Sequence, residues 1–416
     1  MLLGLASVCC SCLYAQEKGI LTFDQYMENV KNCNIGYLAE RYNVDVADAN
    51  VKAAGVFPDP ELSIGYGNNQ DWSLQMGYGF DAALSYTWEL GGKRKARIRL
   101  ARSEKEMTAA LLEDYFRNLR ADASVAYLTA LKQKKLYGIQ KSSYEQMLEL
   151  ARADSVRYLL GDIMEVDARQ SKLEAASLLN DLYASQGDWQ EALVQLGLFQ
   201  GDRQLALPDS IAGELSCTKR SFDLPALIVT ALNNRADLLA ALKSKEVSQS
   251  NVRLSKANRF IDLGLNLGGS YASVVKNEIA PAPSYRGFSV GISIPLKFSN
   301  ANKGAMRAAQ SAVRQSEVQY EGVEQQISAE VIQAYNRYLI ACRQVEQFDM
   351  GLLQEAEAIF SKRSYSYRRG ETGIFELLNA RRTYNDIQLM YTETLYNCAV
   401  ALVELERVVP VNPPAP

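Results

Sequence analysis

The residues best spaced for chemistry are Gly287-Phe288-Ser289-Val290-Gly291, which satisfy the G-x-S-x-G pattern of a nucleophile elbow. Such an elbow holds a serine hydroxyl on a strand-to-helix turn, where a neighbouring base must take its proton. The chain contains no histidine, and Ser289 lies inside an alternating strand pattern, so a hydrolase is argued against on two grounds. The same absence removes the commonest general base and the commonest metal ligand. Cys9-x-x-Cys12 has a redox spacing, but with Cys10 it lies in an apolar leader. The other four cysteines, Cys33, Cys217, Cys342 and Cys398, are scattered and read as buried small residues rather than a disulfide framework. Lys93, Arg94, Lys95, Arg97, Arg99 and Arg102 form a basic run, yet the net charge is only -3, so no nucleic-acid partner is expected. Directly after a strand, that run suits contact with membrane headgroups or intersubunit ion pairs. The expectation is a protein that is not an enzyme, with no catalytic residue, no cofactor and no metal site.

The elements that would position these residues emerge from proline and from periodicity. The eleven prolines leave 61–207 and 296–409 free, and these stretches are rich in Ala, Glu, Gln and Leu. Proline breaks helix interiors, so such voids read as very long helices. Ile327, Val331, Ala334, Tyr338, Ala341, Val345 and Phe348 step by 4,3,4,3,4,3, the seam of a coiled coil. Leu119, Ala123, Ala126 and Ala130 continue a looser version of that face. A helix from Lys95 to Tyr158 would run about 95 Å.

The chain also repeats itself. Leu21-Thr22-Phe23-Asp24 and Ser221-Phe222-Asp223-Leu224-Pro225 open two copies, Asn32 aligns with Asn233, and Asn50-Val51-Lys52 aligns with Asn251-Val252-Arg253 at an offset of 201. Ala126-Tyr127 matches Ala334-Tyr335 at 208, and Tyr158-x-x-Gly161 matches Tyr367-x-x-Gly370 at 209. Copies this long indicate a duplicated fold rather than a solenoid. The expected organisation is a signal peptide at 1–15, a first repeat at 16–215, a second at 216–409 and a Pro-rich tail at 410–416. The apolar run Leu2 to Val8 ends at Leu13-Tyr14-Ala15-Gln16, with cleavage expected after Ala15. It lacks a basic n-region, so the expectation for Met1 is an internal start or a truncated chain.

Before each rod lies a hairpin with a period of two. Phe80, Ala82, Leu84, Tyr86, Trp88 and Leu90 alternate with Asp81, Ala83, Ser85, Thr87 and Glu89. Ile261, Leu263, Leu265 and Leu267 alternate with Asp262, Gly264, Asn266 and Gly268, and Phe288, Val290, Ile292, Ile294, Leu296 and Phe298 with Ser289, Gly291, Ser293, Pro295 and Lys297. Leu62, Ile64 and Tyr66 mark the weakest strand. Small and charged residues on one face with apolar ones on the other fit a membrane barrel around a wet lumen. Trp88 and Tyr86 suit an aromatic girdle or plain packing. Open strand edges are not tolerated in hydrocarbon, so four strands must be closed by other copies of the chain.

Two copies of helix, hairpin, long helix and return helix behind a leader resemble the TolC-type outer-membrane efflux family across nearly the whole mature chain. The matching pieces are Leu21-Thr22-Phe23, the hairpin followed by Gly91-Gly92-Lys93-Arg94, and the two Tyr-x-x-Gly turns; the length is similar to that of the cation-efflux branch. The resemblance implies a mainly α fold with a small β part: duplicated long-helix coiled-coil hairpins and four strands per chain. It also implies a homotrimer forming a 12-stranded barrel and a 12-helix tunnel, in outer-membrane lipid and spanning into the periplasm. The implied partners are a periplasmic adaptor protein and an inner-membrane efflux pump, and the implied function is a passive exit duct for small molecules or metal cations. A periplasmic coiled-coil scaffold or adaptor without a barrel is the alternative.

By the same resemblance, Tyr158, Gly161, Tyr367, Arg368 and Gly370 mark tips that meet the adaptor. Gly370 to Ala380 looks like the segment that carries two inward aspartates, here Glu376 and Asn379, with Asp167 and Gln170 at the equivalent places in the first copy. Each pair keeps one acid and one amide. Inward carboxylates from three copies would concentrate negative potential and favour cations; otherwise Asp167 and Glu376 are solvated helix residues. Arg368, Arg369, Arg381 and Arg382 either close the gate through ion pairs or solubilise the tip.

Overall fold

A computed structural model of the chain describes residues 20–70, 75–202, 208–217, 219–296 and 302–410. The signal peptide with Cys9, Cys10 and Cys12, residues Lys297 and Phe298, and the tail beyond Pro410 lie outside the described residues. In order, the elements are β1 (Ile20–Leu21), α1 (Phe23–Cys33), α2 (Ile35–Ala54), β2 (Glu61–Asn68), β3 (Tyr78–Trp88), α3 (Lys93–Leu159) and α4 (Glu165–Gln200). A second series follows: β4 (Ser210–Ile211), α5 (Leu224–Asn234), α6 (Ala236–Ala257), β5 (Leu263–Ala272), β6 (Tyr285–Ser293) and α7 (Lys303–Gln347). A kinked segment (Phe348–Leu352), α8 (Leu353–Arg368) and α9 (Ile374–Val408) complete it. The sequence repeat is thus also a repeat of elements. The chain divides into two compact units, one of residues 1–41, 112–235 and 324–416 and the other of 42–111 and 236–323. Each draws on both copies.

In the first unit the expected seam is the core. Ile327, Val331, Ala334, Tyr338, Ala341, Val345 and Phe348 are all buried, as are Leu119, Ala123 and Ala130. Ala126 is only partly covered, and Tyr127 takes the buried place beside it. Each copy's opening segment is pinned by tyrosine hydroxyls on a long helix. The single Tyr127 hydroxyl proton is shared between the carbonyls of Leu21 and Ala212 (3.0 and 2.7 Å), holding together the parallel β1–β4 pair. Tyr338 accepts from the Arg220 amide at 2.8 Å and packs edge-on to Phe222. Thr22 closes a capping box with Gln25, and Asp223 caps α5 with Pro225 in its first turn.

The second rod departs from expectation. Where α3 continues for 67 residues, α7 ends after 45 and a kink intervenes before α8. The cause is Gly351, at φ +111°, a conformation that removes it from the helical ladder. At the repeat offset of 209 the first copy has Ser142, inside α3.

In the second unit, β2-β3-β5-β6 form one antiparallel sheet. Its register lines up the expected faces: Leu62, Leu84, Leu267 and Val290 stand in one row, and Tyr86, Leu265 and Ile292 in another. Leu62, Ile64, Phe80, Leu84, Trp88, Val290 and Ile292 are exposed in the single chain. The opposite face is built of small residues. A Cβ on Gly65 would lie 2.5 Å from an Asp81 oxygen, and one on Gly268 would lie 2.6 Å from the Ser289 hydroxyl, so polar side chains lie across their glycine neighbours. Among the described residues no strand pairs with the outer edges of β2 or β6. No described helix is long and apolar enough to cross a membrane.

Three cations of the basic run turn inward, which overturns the reading that they face headgroups. Lys93 is buried and pairs with Asp262 at 2.6 Å, Arg97 pairs with Glu89, and Arg94 donates to the Gly55 carbonyl while covering the Phe57 ring. Their task is to lock the strand-to-helix junctions of this unit.

Candidate functional site: the two helix reversals

Both sequence-marked turns lie in the first unit and share one backbone solution. At the end of α3 the Gly161 amide donates to the Tyr158 carbonyl and the Asp162 amide to that of Arg157, at 3.0 and 2.9 Å. At the end of α8 the Gly370 amide donates to Tyr367 and the Glu371 amide to Ser366, both at 3.0 Å. This is the Schellman closure, which needs a left-handed residue at its centre. Gly161 and Gly370 supply it at φ +82° and +74°, and no atom lies within 4 Å of where either Cβ would stand.

The side chains around the turns differ. Tyr158 and Arg368 are exposed, whereas Tyr367 is only 4% exposed. Tyr367 enters a cluster of Met147, Ala151, Ala175, Ile374, Leu377 and Leu378. There its hydroxyl donates to Oδ1 of Asp154 at 2.9 Å, and the Arg157 guanidinium lies 5.4 Å over its ring and 3.9 Å from the same carboxylate oxygen. Burial pushes the Asp154 carboxyl above the usual range, opposed by Tyr367, Ser171 and Arg157. Burial, then the Asp154 charge, raises the Tyr367 phenol as well. Sequence reasoning missed Asp154. The available signal was its place in the 4,3 spacing after Met147 and Ala151, an acid where the seam calls for an apolar residue.

The gate candidates sit just past the turns. Asp167 is in the first turn of α4 and Glu376 in the first turn of α9, where the helix dipole favours an acid whatever else it does. Asp167 and Gln170 are half-buried, and Asp167 is close enough to act electrostatically on Asp154 and Tyr367. Glu376 and Asn379 are exposed, and Glu376 pairs with Arg363 at 2.9 Å. The arginines divide. Arg382 grips Glu174 through two bonds (3.1 and 2.6 Å) and Arg369 pairs with Glu371 at 3.2 Å. Arg381 is buried, which lowers its guanidinium to about 10 despite the attraction of Glu174. A buried Arg381 does not solubilise the surface of the single chain.

The cysteines contradict the scattered reading. Cys217, from the segment before α5, and Cys398, on α9, form a disulfide, and Cys342 on α7 lies 3.8 Å from the Cys398 sulfur. Cys217 and Cys398 stand 181 positions apart in sequence, a contact that spacing alone does not reveal.

Residues 38–201 and 227–409 match the family model described as outer membrane efflux protein. The chain belongs to that family. The two matched stretches correspond to the two copies. The cobalt-zinc-cadmium resistance protein CzcC of Cupriavidus metallidurans is 21% identical over 393 residues, covering 94% of this chain and 91% of that protein. The outer membrane protein TolC of Vibrio cholerae is 20% identical over 383 residues, covering 86% and 82%. The Campylobacter jejuni CmeC outer membrane channel superposes with a TM-score of 0.76 at 14% identity, over 93% of this chain and 85% of that one. The long duplicated helices and four strands of this chain are thus a fold shared with that solved structure.

Proposed function

We propose that this efflux protein acts as a homotrimeric, passive exit duct. Three four-stranded sheets join edge to edge in the outer membrane as a 12-stranded barrel, and the long helices form a tunnel in the periplasm. The observation that carries the trimer is the sheet: an exposed apolar face in register over four strands, with two unpaired edges. Such edges must be paired in hydrocarbon, and a second and third copy supply the pairing. In this reading residues 16–215 and 216–409 are the two structural repeats. Gly161 and Gly370, with Tyr158 and Arg368 beside them, present open turns to a periplasmic adaptor, which an inner-membrane pump feeds. Asp167 and Glu376, flanked by Gln170 and Asn379, line the narrow end. The cargo class is metal cations, supported by the full-length likeness to a cobalt-zinc-cadmium resistance protein and by the acids at the reversals.

The test is the mass of the particle extracted from outer membranes in mild detergent. Three chains are expected, with cysteines placed on β2 and β6 cross-linking between chains. A stable, membrane-inserted monomer would overturn the trimer.

A further inference from the structure

The duct reading assigns no task to the thiols of Cys217, Cys342 and Cys398, yet their sulfurs all lie within 4.8 Å of one another. We propose that, with the Cys217–Cys398 bond reduced, these three sulfurs form a buried site for one soft monovalent cation of the Cu(I) class.

The geometry fits a three-coordinate ion. Sulfurs bound at about 2.3 Å around a common centre stand about 4 Å apart, and Cys342 already lies 3.8 Å from Cys398. Only the bonded pair must part, and its Cα atoms are 5.9 Å apart, which leaves room for its side chains to rotate. Cys342 and Cys398 are buried and Cys217 is half-buried, so the ion would be shielded from water. The site is also held together without the disulfide. One turn before Cys342, Tyr338 accepts from the Arg220 amide and packs against Phe222; one turn after it, Glu346 pairs with Lys219. Both tethers fix the segment carrying Cys217 to α7, on either side of Cys342.

The donor set selects the metal. Thiolates favour soft cations. Zinc in closed sites asks for a fourth ligand, and among the described residues the group contains three sulfurs and no carboxylate or imidazole. Loading is a thiol–disulfide exchange followed by ligation. A dithiol reductant gives two electrons and two protons to the Cys217–Cys398 bond and leaves as its own disulfide. The thiols then lose their protons to solvent as the sulfur–metal bonds form. In an oxidising periplasm the bonded form is closed to metal, so occupancy follows the local redox state.

The experiment titrates Cu(I), buffered by a competing chelator, into the full-length trimer before and after reduction by a phosphine that is then removed. The triple variant Cys217→Ser, Cys342→Ser, Cys398→Ser is the blank. Expected is one ion per chain above the blank in the reduced protein and none in the oxidised one, with X-ray absorption counting three sulfur neighbours. Cys342→Ser keeps the reducible pair and should bind at least tenfold more weakly; Cys342→Ala serves if the serine variant fails to assemble. Reduced protein that binds no more than the blank, two sulfur neighbours, or unchanged affinity without Cys342 would each overturn the site. Trimer mass is read in the same samples, so loss of the duct assembly is distinguished from loss of metal binding.

Discussion

The two helix reversals have the same backbone and different interiors. Tyr158-Leu-Leu-Gly161 and Tyr367-Arg-Arg-Gly370 close with the same pair of hydrogen bonds around a glycine of the same hand. Yet the first tyrosine stands in solvent and the second is sealed over a carboxylate. Local closure depends on the few residues in the turn, so duplication preserved it. The fate of a side chain depends on what the neighbouring hairpin offers. Asp154, which accepts from Tyr367, aligns at offset 209 with Arg363, which cannot offer Tyr158 the same buried acceptor.

The largest expected difference tests that asymmetry directly. Tyr367→Ala removes a buried ring and orphans a buried carboxylate, and should cost about 3–5 kcal/mol. Tyr158→Ala should stay within about 0.5 kcal/mol. Denaturant or thermal unfolding of the purified trimer reads both, and similar losses would mean that the exposed tyrosine is also sealed in the assembly. The shared backbone gives the opposite signature. Gly161→Val and Gly370→Val each force a branched side chain into the left-handed region, at about 1–2 kcal/mol apiece. Because space is open around both, the two costs should match, and export should fall by more than stability if the turns contact the adaptor.

What the sequence revealed follows the same division between local and tertiary causes. The seam of α7, the hairpin faces, both glycine turns and the order of elements were legible because each is a periodicity or a spacing of a few residues. Asp154 was not legible as a partner of Tyr367, since 213 residues separate them. The cysteine cluster failed for that reason too. Gly351 was visible but carried no mark distinguishing a tolerated helix glycine from a break. The inward turn of Lys93 and Arg97 depends on Asp262 and Glu89 reaching them, and a run of like charges hides that outcome.

The pH response should separate the reversals further. Burial raises the Asp154 carboxyl above its unfolded value, so the folded state holds that proton more tightly. The stability from this group is then complete below the ordinary carboxylate range and is lost as pH rises through the upshifted one. Asp154→Asn keeps an acceptor for the Tyr367 hydroxyl but has no proton to lose. Its melting temperature should therefore fall less with rising pH than the parent's, whereas Tyr158→Phe should leave the parent profile unchanged. A parent profile that rises through that window would show that Arg157 and Ser171 outweigh burial.

The smallest effect concerns the two acids. If both face the narrow end of the trimer, they present six carboxylates, and a trivalent cation added from the periplasmic side should block single-channel current. The two acids should not contribute equally. Arg363 holds Glu376 at 2.9 Å in the second reversal and offsets part of its field at the pore, whereas Asp167 lies deeper, beside the Asp154 cluster. Asp167→Asn should weaken the block several-fold, Glu376→Gln less, and Arg363→Ala should strengthen it by releasing the Glu376 charge. The amides change charge with little change in shape, so trimer yield should hold throughout. A block unaltered in the double amide would place both acids away from the pore and leave them as the helix-starting residues their first-turn positions already explain.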